Sequence, residues 1–174
     1  AFFILSLILW SYFKLNVAIS NEPKLNNLFP YILLFLIFLQ IIIGAFVSGM
    51  DAGKLYNSWP LMGSSYFPDD NQLINLFNIS VFNDPSLVQF IHRNLAYLIL
   101  IFYLFILYEV YKHRLKNSFF PLIAVGLFLL LQVILGILTL VSGAQIFLAS
   151  LHQISSIFLV SASIYFLFIN KKIA

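Results

Sequence analysis

The chain has no cysteine among its 174 residues, which removes disulfides, thiolate nucleophiles, iron–sulfur clusters and cysteine–zinc sites from consideration. It is also short of charge. Only 9% of its residues are Asp, Glu, Lys or Arg, where a soluble domain carries roughly a quarter. The nine basic residues outnumber the six acidic ones and give a pI near 9.2, but they sit at the ends of apolar segments. That placement reflects membrane topology, and no nucleic-acid-binding pattern is visible. What fills the chain instead is apolar: 62% of residues are hydrophobic, 18% are aromatic, and the mean hydropathy is +1.01. These values describe a membrane protein. Ala1 falls within an apolar run, so no signal peptide is read here, and the chain is expected to be a fragment lacking an N-terminal part.

A spanning helix needs about 20 mainly apolar residues. Four complete runs qualify, at 31–50, 88–108, 119–141 and 148–169, and residues 1–13 read as the surviving end of a fifth. The expected organisation is the end of a truncated transmembrane helix at 1–20, an inner loop at 21–30, and a four-helix membrane domain at 31–174. The long segment 51–87 is rich in Asn, Asp, Ser and Pro and holds one amphiphilic patch at 73–82. That patch is expected either to lie along the membrane surface or to cap a site. One side of the membrane receives Lys14, Lys24, Lys112, Arg114, Lys116, Lys171 and Lys172, and the other only Lys54 and Arg93. By the positive-inside rule the 51–87 loop faces outward.

An internal repeat organises these helices. Leu39-Gln40 followed by Gly44 recurs as Leu131-Gln132 followed by Gly136, a shift of 92 residues in each case. His92 and His152 each open the next apolar segment, 60 residues apart because the second unit lacks the long loop. The fold class is therefore all-α: an integral membrane four-helix bundle made of two repeated hairpins.

Ionisable groups inside a bilayer are costly and mark function by default. Two histidines at matching depth point to a ligand shared between them, and heme iron held by one histidine from each side is the natural candidate. Small residues one turn below each histidine, Ala96 and Ser156, leave room for a flat macrocycle. The competing readings are histidines that only hydrogen-bond neighbouring helices, or a proton or quinone site. Structural zinc lacks its four ligands. Arg93, at the outer boundary, suits pairing with heme propionates or snorkelling to lipid phosphate. Gln40 and Gln132 read as interhelical hydrogen-bond donors, Glu109 as structural, and His113, among inner-side basic residues, as solvated.

The strings Asp51-Ala52-Gly53, Tyr56-Asn57-Ser58-Trp59-Pro60 and Gln89-Phe90-Ile91-His92-Arg93, followed by Leu151-His152-Gln153, resemble the heme A synthase family in its proteobacterial and mitochondrial branch. The resemblance covers essentially the whole chain and matches the C-terminal half of that family. It implies a part in oxidising the C8 methyl of heme O to a formyl group, making heme A for cytochrome c oxidase. His92 and His152 would be the axial ligands of a heme b cofactor, with Arg93 beside it. Catalytic residues are expected in the other half and none here. Implied partners are heme O, membrane lipid, heme O synthase and cytochrome c oxidase assembly factors, with homo-oligomerisation open. The implied location is a bacterial or mitochondrial inner membrane, with the heme near the outer face. Asp51, Tyr56, Asn57 and Trp59 are expected near the mouth of the site. The alternative function is a stand-alone bis-histidine b-type cytochrome taking electrons from quinol.

Overall fold

The computed structural model describes residues 1–18 and 24–171; Lys172 and residues 21–23 of the expected inner loop lie outside them. Five helices account for most of the chain: α1 (Phe2–Asn16), α2 (Leu28–Gly49), α3 (Pro85–Lys112), α4 (Lys116–Val141) and α5 (Ile146–Asn170). The described residues contain no β-strand, only an isolated bridge between Met62 and Ser65. α2, α3, α4 and α5 are each long and apolar enough to cross a membrane. The chain is an all-α integral membrane protein. Its spans leave large apolar side chains such as Phe35, Ile101 and Leu127 exposed, as expected where the surrounding solvent is lipid.

Every spanning helix is longer than the apolar segment that announces it, because helix ends are set by local chemistry and not by membrane thickness. α3 starts at Asp84, whose carboxylate accepts from the backbone N–H of Ser86 at 3.0 Å and of Leu87 at 3.2 Å, with Pro85 in the first helical position. Burial works to raise the Asp84 carboxyl. Hydrogen bonds from Asn71, Ser86 and Leu87 outweigh it and hold the group below its usual range. α3 ends in a turn through Arg114, at a φ of 52°. α4 ends through Gly143 and Ala144 at φ of 74° and 58°, with the Ala144 N–H closing on the Thr139 carbonyl at 2.8 Å.

The residues group into two compact units. The first comprises Ala1–Ile37, Ile99–Gln132 and Gln153–Ala174. Phe166 and Phe168 are buried in it, Trp10 stands edge-on to Phe168 at 5.4 Å, and Phe128 stacks on the exposed Phe158 at 5.6 Å. Buried Asn170 ties it together: its carbonyl oxygen accepts from the Leu25 N–H and the Ser118 hydroxyl, and its amide donates to the Phe166 carbonyl. Gly126 makes room for Tyr103, since a methyl there would overlap the phenol oxygen.

The second unit comprises Phe38–Leu98 and Val133–His152 and holds both repeat histidines and the long loop. Buried Ile43, Ala52, Met62, Leu87 and Val88 form its core. Three short 3-10 helices, Ala52–Lys54, Leu73–Phe77 and Ile79–Asn83, break up the loop.

Candidate functional site

Each repeat histidine lies against the glycine of its partner helix. A Cβ built on Gly44 of α2 would stand 3.1 Å from Cε1 of His92 on α3. A Cβ built on Gly136 of α4 would stand 3.2 Å from Cε1 of His152 on α5. The distances to the ring nitrogens agree as well: 3.7 and 4.0 Å at His92, 3.8 and 3.8 Å at His152. Any larger residue at either glycine would press into the imidazole. His152 is also within electrostatic reach of His92. The structure thus brings the two histidines into one unit, in matching settings.

Gln40 orients His92. Its amide nitrogen donates to the His92 backbone carbonyl at 3.0 Å and meets the ring Nε2 at 3.3 Å. A carbonyl only accepts and an amide –NH₂ only donates, so Nε2 must accept and the ring proton is assigned to Nδ1. That leaves Nε2 unprotonated, with its lone pair accepting from Gln40. His92 Nδ1 and the Gln40 carbonyl oxygen are both buried with no hydrogen-bond partner. In the first unit Gln132, the repeat equivalent of Gln40, donates to the hydroxyl of Ser155. Both glutamines are interhelical donors, as their mid-helix positions suggest. Ser155 went unrecognised in the sequence, where Ser156 was placed on the His152 face. Ser155 is the buried residue, whereas Ser156 bonds the Gln153 carbonyl.

Beside His92 the loop is strapped to α3 by Gln89, Arg93 and Tyr97, spaced one turn apart along the helix. Arg93 donates from Nη1 to the carbonyls of Ser58 at 2.9 Å and Leu61 at 3.2 Å, and from Nη2 to that of Tyr56 at 2.8 Å. Gln89, one turn earlier, donates to the same Tyr56 carbonyl at 3.1 Å. One turn after Arg93, the Tyr97 hydroxyl accepts from the Trp59 indole at 2.9 Å. The Arg93 Nε–H is buried without a partner. Asn57 bridges two carbonyls, Gly53 and Leu140, both at 3.0 Å, so the loop is also tied to the end of α4. The strings around Tyr56 and His92 that carry the family resemblance are therefore one physical assembly.

The remaining loop residues serve the loop itself. Tyr56 donates its phenol to Asp70 at 2.9 Å, and burial followed by that carboxylate holds the phenol above its ordinary value. Asp69 accepts from the Ser64 N–H and from the Ser65 and Ser64 hydroxyls, which keep its carboxyl low. Asp51 pairs with Lys54 at 2.7 Å in the open. His113 reaches only Glu109, at 3.5 Å, with its side chain mostly exposed. Among the described residues no cluster of three or more His, Cys, Asp or Glu could hold a metal ion. Surface hollows of about 300 Å³ beside Asn75 and Asp84, and about 400 Å³ beside Leu104 and Phe119, lie on other stretches of the chain than the histidines.

Fold and site together define a helical integral membrane protein built on an internal repeat, with one glycine-backed histidine from each hairpin. The chain belongs to the cytochrome oxidase assembly protein family COX15-CtaA, whose profile matches residues 1–164. It is 43% identical over 172 residues to the heme A synthase of Pelagibacter ubique (strain HTCC1062), a match spanning 99% of this chain and 50% of that protein. It is 39% identical to the heme A synthase of Rickettsia felis, over 90% of this chain and 46% of that protein. To that of Wolbachia pipientis wMel it is 39% identical, over 81% of this chain and 39% of that protein. The chain spans about half the length of the curated relatives it matches. No solved structure matches it.

Proposed function

We propose that this chain is the C-terminal, heme b-binding half of a heme A synthase, with His92 and His152 as the two axial ligands. The observation that carries the reading is the matched seating of His92 on Gly44 and His152 on Gly136. Two neutral imidazoles at equivalent positions are a donor set for one iron, and glycine behind each ring leaves it close to the backbone, with no side chain intervening. Nε2 of His92 carries no proton, and ligation through it would exchange its Gln40 hydrogen bond for the metal while Gln40 keeps the His92 carbonyl.

A heme bound by two histidines has no open coordination position, so when present it supplies one-electron transfer and not oxygen activation. The chain's own residues do the rest. Gly44 and Gly136 set how near each imidazole lies to the partner helix. Gln40 fixes the tautomer and rotamer of His92. Arg93, Gln89 and Asn57 hold the loop in place and limit water, and the buried Arg93 Nε–H is the donor left for an anionic propionate. In the whole enzyme this half would relay electrons during oxidation of the heme O methyl to the formyl of heme A. Heme O synthase and cytochrome c oxidase assembly factors are the corresponding partners. The positive-inside asymmetry supports an inner-membrane location with the loop facing outward.

The test is a reduced-minus-oxidised absorption spectrum of the purified protein, alongside His92→Ala and His152→Ala. A low-spin b-type spectrum in the wild type, lost or converted to high spin in both variants, supports the reading. An unchanged low-spin spectrum in either variant rules out that histidine as a ligand.

A further inference from the structure

We propose that residues 73–82 form an interfacial anchor occupied by membrane lipid, fastening the 51–87 loop to the outer leaflet. The segment folds as two successive 3-10 helices, Leu73–Phe77 and Ile79–Asn83. Its large apolar side chains point away from the protein: Leu73 is 65% exposed, Ile74 64%, Phe77 85% and Ile79 98%. Only Val81 is buried, pinning the segment to the unit. Of its polar residues Asn75 is half-buried and tied into the loop, whereas Asn78, Ser80 and Asn83 are exposed. Asn75 donates to Asn71, and Asn71 donates to Asp84 and Ser86 at the start of α3. An apolar patch of this kind, left in water, marks an interaction surface.

Lipid is the occupant that the surroundings specify. Phe82 lies against Phe46 with ring centroids 5.7 Å apart. Phe46 is itself exposed near the outer end of α2, with exposed Ile42 one turn earlier on the same membrane span. The apolar surface therefore runs without a break from the lipid-facing flank of α2 onto the loop. Residues 71–83 include no Asp, Glu, Lys or Arg, so the segment enters the interface without dehydrating a charge. Neutral Asn and Ser between the apolar residues suit the headgroup layer.

The absence of cysteine makes the test direct, because each introduced cysteine is the sole thiol. Phe77→Cys and Ile79→Cys are spin-labelled in nanodiscs of phosphatidylethanolamine and phosphatidylglycerol. Ile42→Cys serves as the lipid reference and Lys54→Cys as the aqueous one. Ile79 makes almost no packing contact that its replacement would remove. Labels at 77 and 79 are expected to resemble position 42, with relaxation by oxygen exceeding that by a water-soluble nickel chelate severalfold. Nickel-dominated relaxation, as at position 54, would overturn the proposal by placing the segment in water. Shielding from both reagents would overturn it in favour of protein, a second copy or another partner, on the patch.

Discussion

Gly44 and His92 come so close that a single added methyl, 3.1 Å from the imidazole Cε1, is tighter than ordinary carbon contact allows. The ring cannot retreat freely, because Gln40 holds both its Nε2 and its backbone carbonyl. Gly44→Ala is therefore expected to cost about 1–3 kcal/mol through overpacking and to lower the heme-to-protein ratio on purification. Gly136→Ala should do the same at His152, where the contact is 3.2 Å. Equal effects would confirm that the two seats are equivalent. Full heme occupancy in both variants would show that neither glycine sets the ring position.

Gln40→Leu removes the donor to both groups of His92. A loss of about 1–2 kcal/mol in stability follows from the two hydrogen bonds removed. Nitrogen NMR of labelled histidine in heme-free protein adds a readout that simple destabilisation would not move. The wild type should show one tautomer at His92, protonated on Nδ1, and the variant a mixture. A single unchanged tautomer would remove Gln40 from the orientation of the ring.

Arg93→Lys keeps the charge but not the planar fork that reaches three carbonyls at once. Hydrogen bonds from a charged donor contribute about 1.5–3 kcal/mol each, so the loop should open measurably. Faster amide exchange across residues 56–61, with α5 unaffected, is the expected pattern. Exchange unchanged in that loop would mean that Gln89, Asn57 and Trp59 hold it without help.

Asp84 links this loop to acid. Its folded carboxyl lies below the ordinary value of 3.8, so its contribution is present above that pH and disappears as pH falls through the lower folded value. Asp84→Ala should cost about 1 kcal/mol at neutral pH by removing the α3 cap, and should flatten stability against pH below about 4. Asp84→Asn keeps a capping oxygen and should retain most of the neutral-pH stability. Thermal unfolding across an acid series distinguishes the three proteins.

The helices and the histidine–glycine pairs were legible in the sequence because hydropathy and repetition are local signals. Gln40 could be recognised as an interhelical donor, but not as a donor to His92 itself, since the acceptor depends on how α2 is rotated against α3. Ser155 as the acceptor of Gln132 was illegible for the same reason, one residue being about 100° around a helix. The loop was the least legible part. Trp59 donates to Tyr97, and Asn57 finds a carbonyl 83 positions away in Leu140. Such contacts follow from the path of an irregular chain, which no periodicity encodes.

Arg93 and the long loop are an inseparable pair. The guanidinium is tolerable at the edge of a membrane site because three loop carbonyls surround it. The second hairpin, which has no such loop, carries the neutral Gln153 after its histidine. Anyone seeking to make the hairpins interchangeable must therefore exchange two things at once. Shortening the first loop strands a cation, and writing an arginine after His152 installs one with no cage to receive it.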